Sequence, residues 1–336
     1  MKKFLVIISI VFVCGKIVAQ DLHFSQFYAT PLTLNPANTG WYNGDFRISG
    51  NYRQQWKAID SKPFSTFALG IEHQFAHYLN FFSVGLQLLS DKSGYAGLIA
   101  HKASLSGSYA RNINGHSISL GFQGGIVYKT TNIDRYTYDD QFDLGGSTVF
   151  NPDLPTSETS QAPIWYPLFN AGILWSKTFN GKFAPEVGLA FFNINAPEET
   201  FYGTSTQNTH LPLRTIFSVG GDFTITDNWI IQPTILYMVE RKAKEFLFGS
   251  NLVYTAYERI KPFAGTFIRY GSEVNFDASS WVIGARYGRW RFGMSYDFNI
   301  SSLRAASKGR GAIEFSLVYI SPSTRSSLIK IPCDRL

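Results

Sequence analysis

The sequence predicts an all-β chain that closes into a transmembrane antiparallel barrel of about fourteen strands. Three observations carry this. From Gly44 onward, large apolar and small or polar residues alternate with a period of two, the mark of strands with unlike faces. The connections sort by parity, with every second one short. Charged residues make up only 16% of the chain and aromatics another 16%, whereas soluble domains average roughly 25% charged.

The first residues stand apart from this pattern. Met1-Lys2-Lys3 precedes an apolar run from Phe4 to Val13, and Ile17-Val18-Ala19 leads to Gln20. A basic start, a short apolar run and a small residue at the cut predict a cleavable secretory signal over residues 1–19. The run is shorter than the roughly 20 residues a spanning helix needs. Bulky Val13 before Cys14 argues against a lipoprotein site. Cleavage would leave Cys333 alone, so no intramolecular disulfide is expected. The 30 basic residues less Lys2, Lys3 and Lys16 leave 27 against 24 acidic, a net of +3. That is too weak a field, on an exported chain, to imply nucleic acid.

Residues 20–43 do not alternate. Gln20–Tyr28 is compatible with a short helix, and Thr30-Pro31 and Asn35-Pro36 then interrupt it. The expectation is an irregular N-terminal segment packed in or under the barrel. The strands follow over 44–57, 63–78, 80–91, 97–112, 115–131, 166–178, 183–196, 210–225, 228–240, 244–258, 260–271, 279–288, 289–300 and 311–322. Most reach the 9–11 residues a tilted strand needs to cross a bilayer. In 244–258 the alternation is blurred, and Phe81 and Leu236 fall on the polar side. Residues 323–336 form a C-terminal tail beyond the barrel, which spans 44–322.

Short turns fall around Leu79, at Asn112–Gly115, Asn180–Lys182, Thr226–Asn228, Arg259 and Gly288. The alternate connections are usually longer, above all Asn132–Trp165, Pro197–Thr209 and Ser301–Gly311. Short periplasmic turns and long outer loops characterise outer-membrane barrels. A soluble sandwich with Greek-key links, the alternative fold, does not sort its loops this way. The predicted location is therefore the outer membrane, with its lipid as one partner.

The clearest alternation runs through Arg289–Ile320. Trp290, Phe292, Met294, Tyr296 and Phe298 share one face, as do Ile313, Phe315, Leu317 and Tyr319. These are assigned to lipid. Arg291, Asp297 and Glu314 then face the lumen, as do Glu72, Gln123 and Arg286. Opposite charges there can offset one another, and residues 20–43 favour a filled lumen over a water channel. Tyr52, Tyr128, Trp175, Trp229, Tyr270, Trp281 and Trp290 suit interfacial girdles.

Little points to catalysis. His73 and His77 would share a strand face about 13 Å apart, too far for one metal ion. Gly121-Phe122-Gln123-Gly124-Gly125 lacks the following helix a phosphate loop needs, and reads as small residues in a crowded lumen. Asp139, Asp140 and Asp143 lack a calcium-loop spacing. His101 and Ser119 are conceivable hydrolase partners that nothing selects. No cofactor and no metal is expected. The loop aromatics are more informative, because disordered loops are aromatic-poor. Tyr136, Tyr138, Phe142, Phe150 and Trp165 in the longest loop, with Phe201, Tyr202, Arg304, Lys308 and Arg310, form a candidate outer cap for a protein partner. A lid that merely seals the barrel is the plainer reading.

Motifs at both ends carry a resemblance. Asp21-Leu22-His23-Phe24-Ser25-Gln26-Phe27-Tyr28, then Leu34-Asn35-Pro36-Ala37 with Gly40, then Asn51-Tyr52-Arg53-Gln54-Gln55-Trp56, are similar to the opening of the PorP/SprF family. Tyr296–Ser301 with Leu303, Gly311, Glu314–Leu317 and Ile331-Pro332-Cys333 agree at the other end. The final Asp334-Arg335-Leu336 departs from the aromatic end expected there. The resemblance implies a FadL-like barrel of the outer membrane working with type IX secretion components. The partner is either the secretion machinery or the C-terminal domain of a secreted surface protein. A passive porin or transporter of hydrophobic solutes is the alternative, and an outer-membrane enzyme a third class.

Overall fold

Along Phe46–Gln55, Phe46, Ile48 and Tyr52 point outward and Arg47, Ser49, Asn51 and Arg53 are buried. The same alternation recurs around a closed sheet of fourteen strands in sequence order, each antiparallel to its neighbours. They are β1 Phe46–Gln55, β2 Phe64–His77, β3 Asn80–Ser93, β4 Leu98–Ile113, β5 His116–Thr130, β6 Ile164–Lys177, β7 Phe183–Phe192, β8 Arg214–Thr226, β9 Trp229–Glu240, β10 Ala243–Tyr254, β11 Ile260–Gly271, β12 Asn275–Tyr287, β13 Trp290–Asn299 and β14 Arg310–Ile320. The computed structural model describes residues 24–324, apart from 58–62, 78–79, 94–96, 132–136, 143–149, 152, 158–161, 202–208, 258, 272–274 and 302–303.

Closure is made by β1 against β14, from Arg47 opposite Ile320 to Gln55 opposite Ala312, while β2 pairs with the other side of β1. Every strand thus has two neighbours and no backbone edge is left open, which a hydrocarbon environment demands. Strand ends differ from the predicted spans where local chemistry intervenes. Asn193 at φ +59° ends β7 at Phe192. Leu211-Pro212-Leu213 delays β8 until Arg214, leaving His210 in an isolated bridge to Glu198. At the start of β6, Ile164 and Trp165 already pair with Lys129 and Tyr128, so Trp165 belongs to the wall and not to the loop before it. Arg310 likewise opens β14, opposite Phe298.

The outside is a continuous apolar surface. Phe292, Met294, Phe298, Phe315 and Leu317 are exposed on it, as are Phe67, Phe82, Leu105, Phe122 and Ile283. The inside is packed by the N-terminal segment. Phe24 to Tyr42 is almost wholly buried. It contains three single turns of 3-10 helix, Phe27–Ala29, Pro31–Thr33 and Pro36–Asn38, and no α-helix. Pro31 and Pro36 each open a turn, where a missing N–H costs nothing. Asn35 caps the third by accepting the Ala37 N–H at 2.8 Å.

The segment crosses the lumen lengthwise. Ser25 meets Asp297 and Glu314, near the long-loop ends of β13 and β14. Trp41 packs at a tilt against Phe81, near the start of β3 at the other end. Tyr42 then donates to the Glu72 carbonyl at 3.1 Å before the chain enters β1. The main apolar cluster joins Phe27, Tyr28 and Tyr42 to inward Leu236, Leu247, Phe263, Phe267 and Val282. This explains the two residues that broke the pattern and the blurred strand at β10. Leu236, Leu247 and Phe81 face the lumen because there they meet aromatic side chains, not water.

Candidate functional site

Two buried ionic clusters hold the segment. In the first, Glu314 accepts two successive backbone N–H groups, from Ser25 to Oε2 at 2.9 Å and from Gln26 to Oε1 at 2.8 Å. Arg53 donates to Glu314 at 3.0 Å, to Asp297 at 2.8 Å and to the Ser25 hydroxyl at 2.7 Å. The Ser25 hydroxyl donates onward to Asp297 at 2.8 Å, and Asn51 completes the Glu314 shell at 2.8 Å. Two carboxylates against one guanidinium leave negative charge, and Arg269 stands 4.0 Å from Asp297 on the far side. Arg269 also donates to Asp277 at 2.7 Å.

The second cluster lies toward the other end. Arg47 and Glu72 form a two-point ion pair on neighbouring strands. Glu72 also accepts the Gly40 N–H at 2.9 Å, and Arg47 donates to the Asn38 carbonyl at 3.2 Å. The Arg47 guanidinium sits 4.6 Å from the Tyr42 ring centroid. On the opposite wall the Trp41 indole donates to Glu186 at 2.9 Å. Such pairs survive burial because every charge has several partners, as the desolvation cost requires.

Between the clusters the backbone lies directly on the wall. Ser119 donates to the Ala37 carbonyl at 2.8 Å and Ser108 to the Thr39 carbonyl at 2.6 Å. Asn35 donates to the Ile173 carbonyl at 3.0 Å. The approach is close enough to require glycine. A Cβ on Gly121 would overlap Pro36 and Ala37, one on Gly172 would overlap the Asn35 amide, and one on Gly293 the Gln26 amide. Of the 121–125 run, Gly121 fits the segment, while a Cβ on Gly125 would instead overlap Ser104 and Ala103 of β4. The run is followed by the rest of strand β5, to Thr130, and not by a helix start.

The sequence-derived candidates divide by location. Phe24, Ser25, Gln26, Asn35 and Pro36 line the segment, with Asn51 and Arg53 facing it from β1. Tyr52 points outward, and Trp56, at φ +61°, packs its ring edge-on to Phe64. His23, Tyr136 and Tyr202 lie outside the described residues, as do residues 1–19, Asp143 and Cys333. Glu72, Gln123, Asp297 and Glu314 are buried inside. Arg291 is inside as well, but its charge lies over the Tyr28 and Phe263 rings, at 4.5 and 4.2 Å. The partner of Asp297 and Glu314 is Arg53, not Arg291. Arg286 sits at the short-turn end and donates to the Gly288 carbonyl at 3.4 Å.

At the long-loop end, Phe142 and Phe150 form one bridge and pack edge-on, yet both remain exposed, at 47% and 39%. Tyr138 and Phe201 are half-buried. Asp140 holds this loop by accepting from Ser157 and Thr156, and the Ser157 backbone N–H keeps its carboxyl below the usual range. Arg304 and Lys308 are exposed around one helical turn, Arg304–Ser307. Trp165 lies on the outer wall against Tyr128 and takes no part in the loop.

What sequence reading missed were the wall glycines Gly172 and Gly293, and Arg47 and Glu186 as anchors. The available signal was small or ionic residues at inward positions beside a segment that needed a place. The register separates His101 from Ser119: His101 points outward, stacked on Tyr128, while Ser119 points inward to Ala37. Among the described residues no group of three or more His, Cys, Asp or Glu is placed to hold a metal ion.

The family model for type IX secretion system membrane proteins PorP/SprF matches residues 17–319. The chain belongs to the PorP/SprF family. No curated protein matches it. Among solved structures, the PorP/SprF chain is similar to the CymD monoaromatic hydrocarbon channel, at 10% identity and a TM-score of 0.52, covering 88% of this chain and 94% of that one. The toluene transporter TbuX of Ralstonia pickettii gives 7%, 0.50, 87% and 92%. A Pseudomonas aeruginosa FadL homologue gives 9%, 0.48, 85% and 92%. At these identities the likeness to CymD and TbuX speaks for the fold alone, an outer-membrane-type β-barrel.

Proposed function

We propose that this PorP/SprF protein is exported by a cleaved N-terminal signal, sits in the outer membrane, and serves type IX secretion as a closed docking barrel. It carries out no chemistry of its own. Its long-loop end receives the secretion machinery or the C-terminal domain of a secreted surface protein. The observation that carries this reading is the filled lumen. Phe24–Tyr42 runs through it between two ionic clusters, and a cavity beside Phe24, Leu34, Arg214 and Glu245 is about 20 Å³, room for one water. A barrel so filled is better suited to present a surface than to pass a solute. The exposed Phe142 and Phe150 of the β5–β6 connection, and Arg304 and Lys308 of the β13–β14 connection at the same end, are the proposed contact chemistry.

Deleting the gene and following surface proteins tests the reading. A surface protein should appear in the medium or accumulate inside the cell, and unchanged surface proteins would sink the proposal. The second reading, a channel for hydrophobic solutes, draws on the resemblance to CymD and TbuX. Steady conductance or uptake by purified wild-type protein in a planar bilayer or vesicles would favour it.

A further inference from the structure

We propose that the outward face where β5 meets β6, at the short-turn end, binds the phosphate of an anionic membrane phospholipid. His116 and Lys177 stand opposite each other in the strand register, and Ile118 faces Trp175 in the adjoining row. Trp175 Nε1 lies 3.2 Å from His116 Nδ1, and Lys177 Nζ lies 3.0 Å from His116 Nε2. An indole N–H and an ammonium only donate, while a neutral imidazole offers one donor and one acceptor. In either tautomer one of these contacts therefore sets donor against donor. Protonating the ring makes both unfavourable. The cluster has one acceptor too few, and an oxygen-rich anion supplies it.

Three features identify that anion as a lipid headgroup. The cluster is on the outer wall, the side that meets the bilayer. Arg111 points outward in the row beside it, opposite Ile118, and adds a second cation. The Lys177 ammonium rests 5.2 Å from the centroid of Phe179, which itself stacks on Phe183 at 6.3 Å. Aromatic rings flanking basic groups mark the headgroup level of a membrane protein. The nearby carboxylate, Glu186, points the other way, into the lumen against Trp41. The proposal rests on the membrane placement of the barrel and is independent of the secretion role.

The test uses purified full-length protein in detergent micelles, titrated with phosphatidylglycerol and read by native mass spectrometry. Wild type should retain one lipid about fivefold more tightly than the double variant Lys177→Ala/His116→Ala, about what one cation at a headgroup contributes. Trp175→Phe keeps the ring but removes the surplus donor, and should weaken retention about threefold. Excess inorganic phosphate should leave the lipid bound, and its displacement would overturn the lipid assignment in favour of a free-phosphate site. Equal retention by all three proteins, each running as a folded heat-modifiable barrel, would overturn the proposal itself.

Discussion

Arg47 and Glu72 stand opposite each other on β1 and β2, and their side chains meet twice inside the barrel, each time at 2.7 Å. The pair is almost completely buried, with side chains 2% and 0% exposed. It joins two wall strands to the Gly40 N–H and the Asn38 carbonyl of the N-terminal segment. The lumen filling is therefore built into the wall's own electrostatics.

Removing one member should cost more than removing both. Glu72→Ala leaves a buried guanidinium unpaired, and is expected to destabilise the barrel by about 3–5 kcal/mol. Arg47→Met with Glu72→Leu should recover much of that loss. Urea unfolding from lipid vesicles measures both, and a double variant as unstable as the single one would refute the argument.

Glu314 tests the other anchor. Its two oxygens hold the Ser25 and Gln26 N–H groups, Asn51 and Arg53. Glu314→Gln keeps the shape but halves the acceptor capacity and strands part of the Arg53 charge. Limited proteolysis should then cut the segment near Ser25 many times faster while leaving the strands intact. Equal cutting of both proteins would mean that the apolar contacts of Phe27 suffice.

Gly121 tests close packing without touching charge. Gly121→Val places a side chain where Pro36 and Ala37 lie. The segment is expected to loosen, with protease cleavage near Asn35 and transient current steps in a planar bilayer where wild type is silent. Phe27→Ala should act in the same direction. It removes the ring packed against Phe267, at a cost of about 3–5 kcal/mol.

Leu317 tests the outer face. It is 41% exposed on β14, between Gly50 and Phe292 in the register. Leu317→Arg should impair membrane assembly, by about 2–4 kcal/mol if the site lies at the midplane. Assembly at the wild-type rate would mean that this face does not meet lipid.

Much of this arrangement was legible beforehand because it is local. A period of two needs only neighbouring residues, so Phe292, Met294 and Leu317 declared one face and Arg291, Asp297 and Glu314 the other. Turn residues such as Asn114-Gly115 and Gly288, all at positive φ, set the short connections. Strand number, order and closure follow from these, since antiparallel neighbours joined by hairpins have one way to avoid open edges.

The rest was decided by contacts between parts of the chain far apart in sequence. Alternation assigned Arg53, Asp297 and Glu314 to the lumen but not to one another. Only the β1–β14 closure brings Arg53 opposite Glu314 and within reach of Asp297. Alternation also counted Phe81 and Leu236 as errors, when each is an inward residue meeting an aromatic of the N-terminal segment. That segment has no period to read, because its shape is dictated by the surface it fills. The sequence by itself determined a closed barrel with two faces. Tertiary packing decided how the N-terminal segment is held in its interior, because burying charge and backbone requires specific partners that only the closed wall brings together.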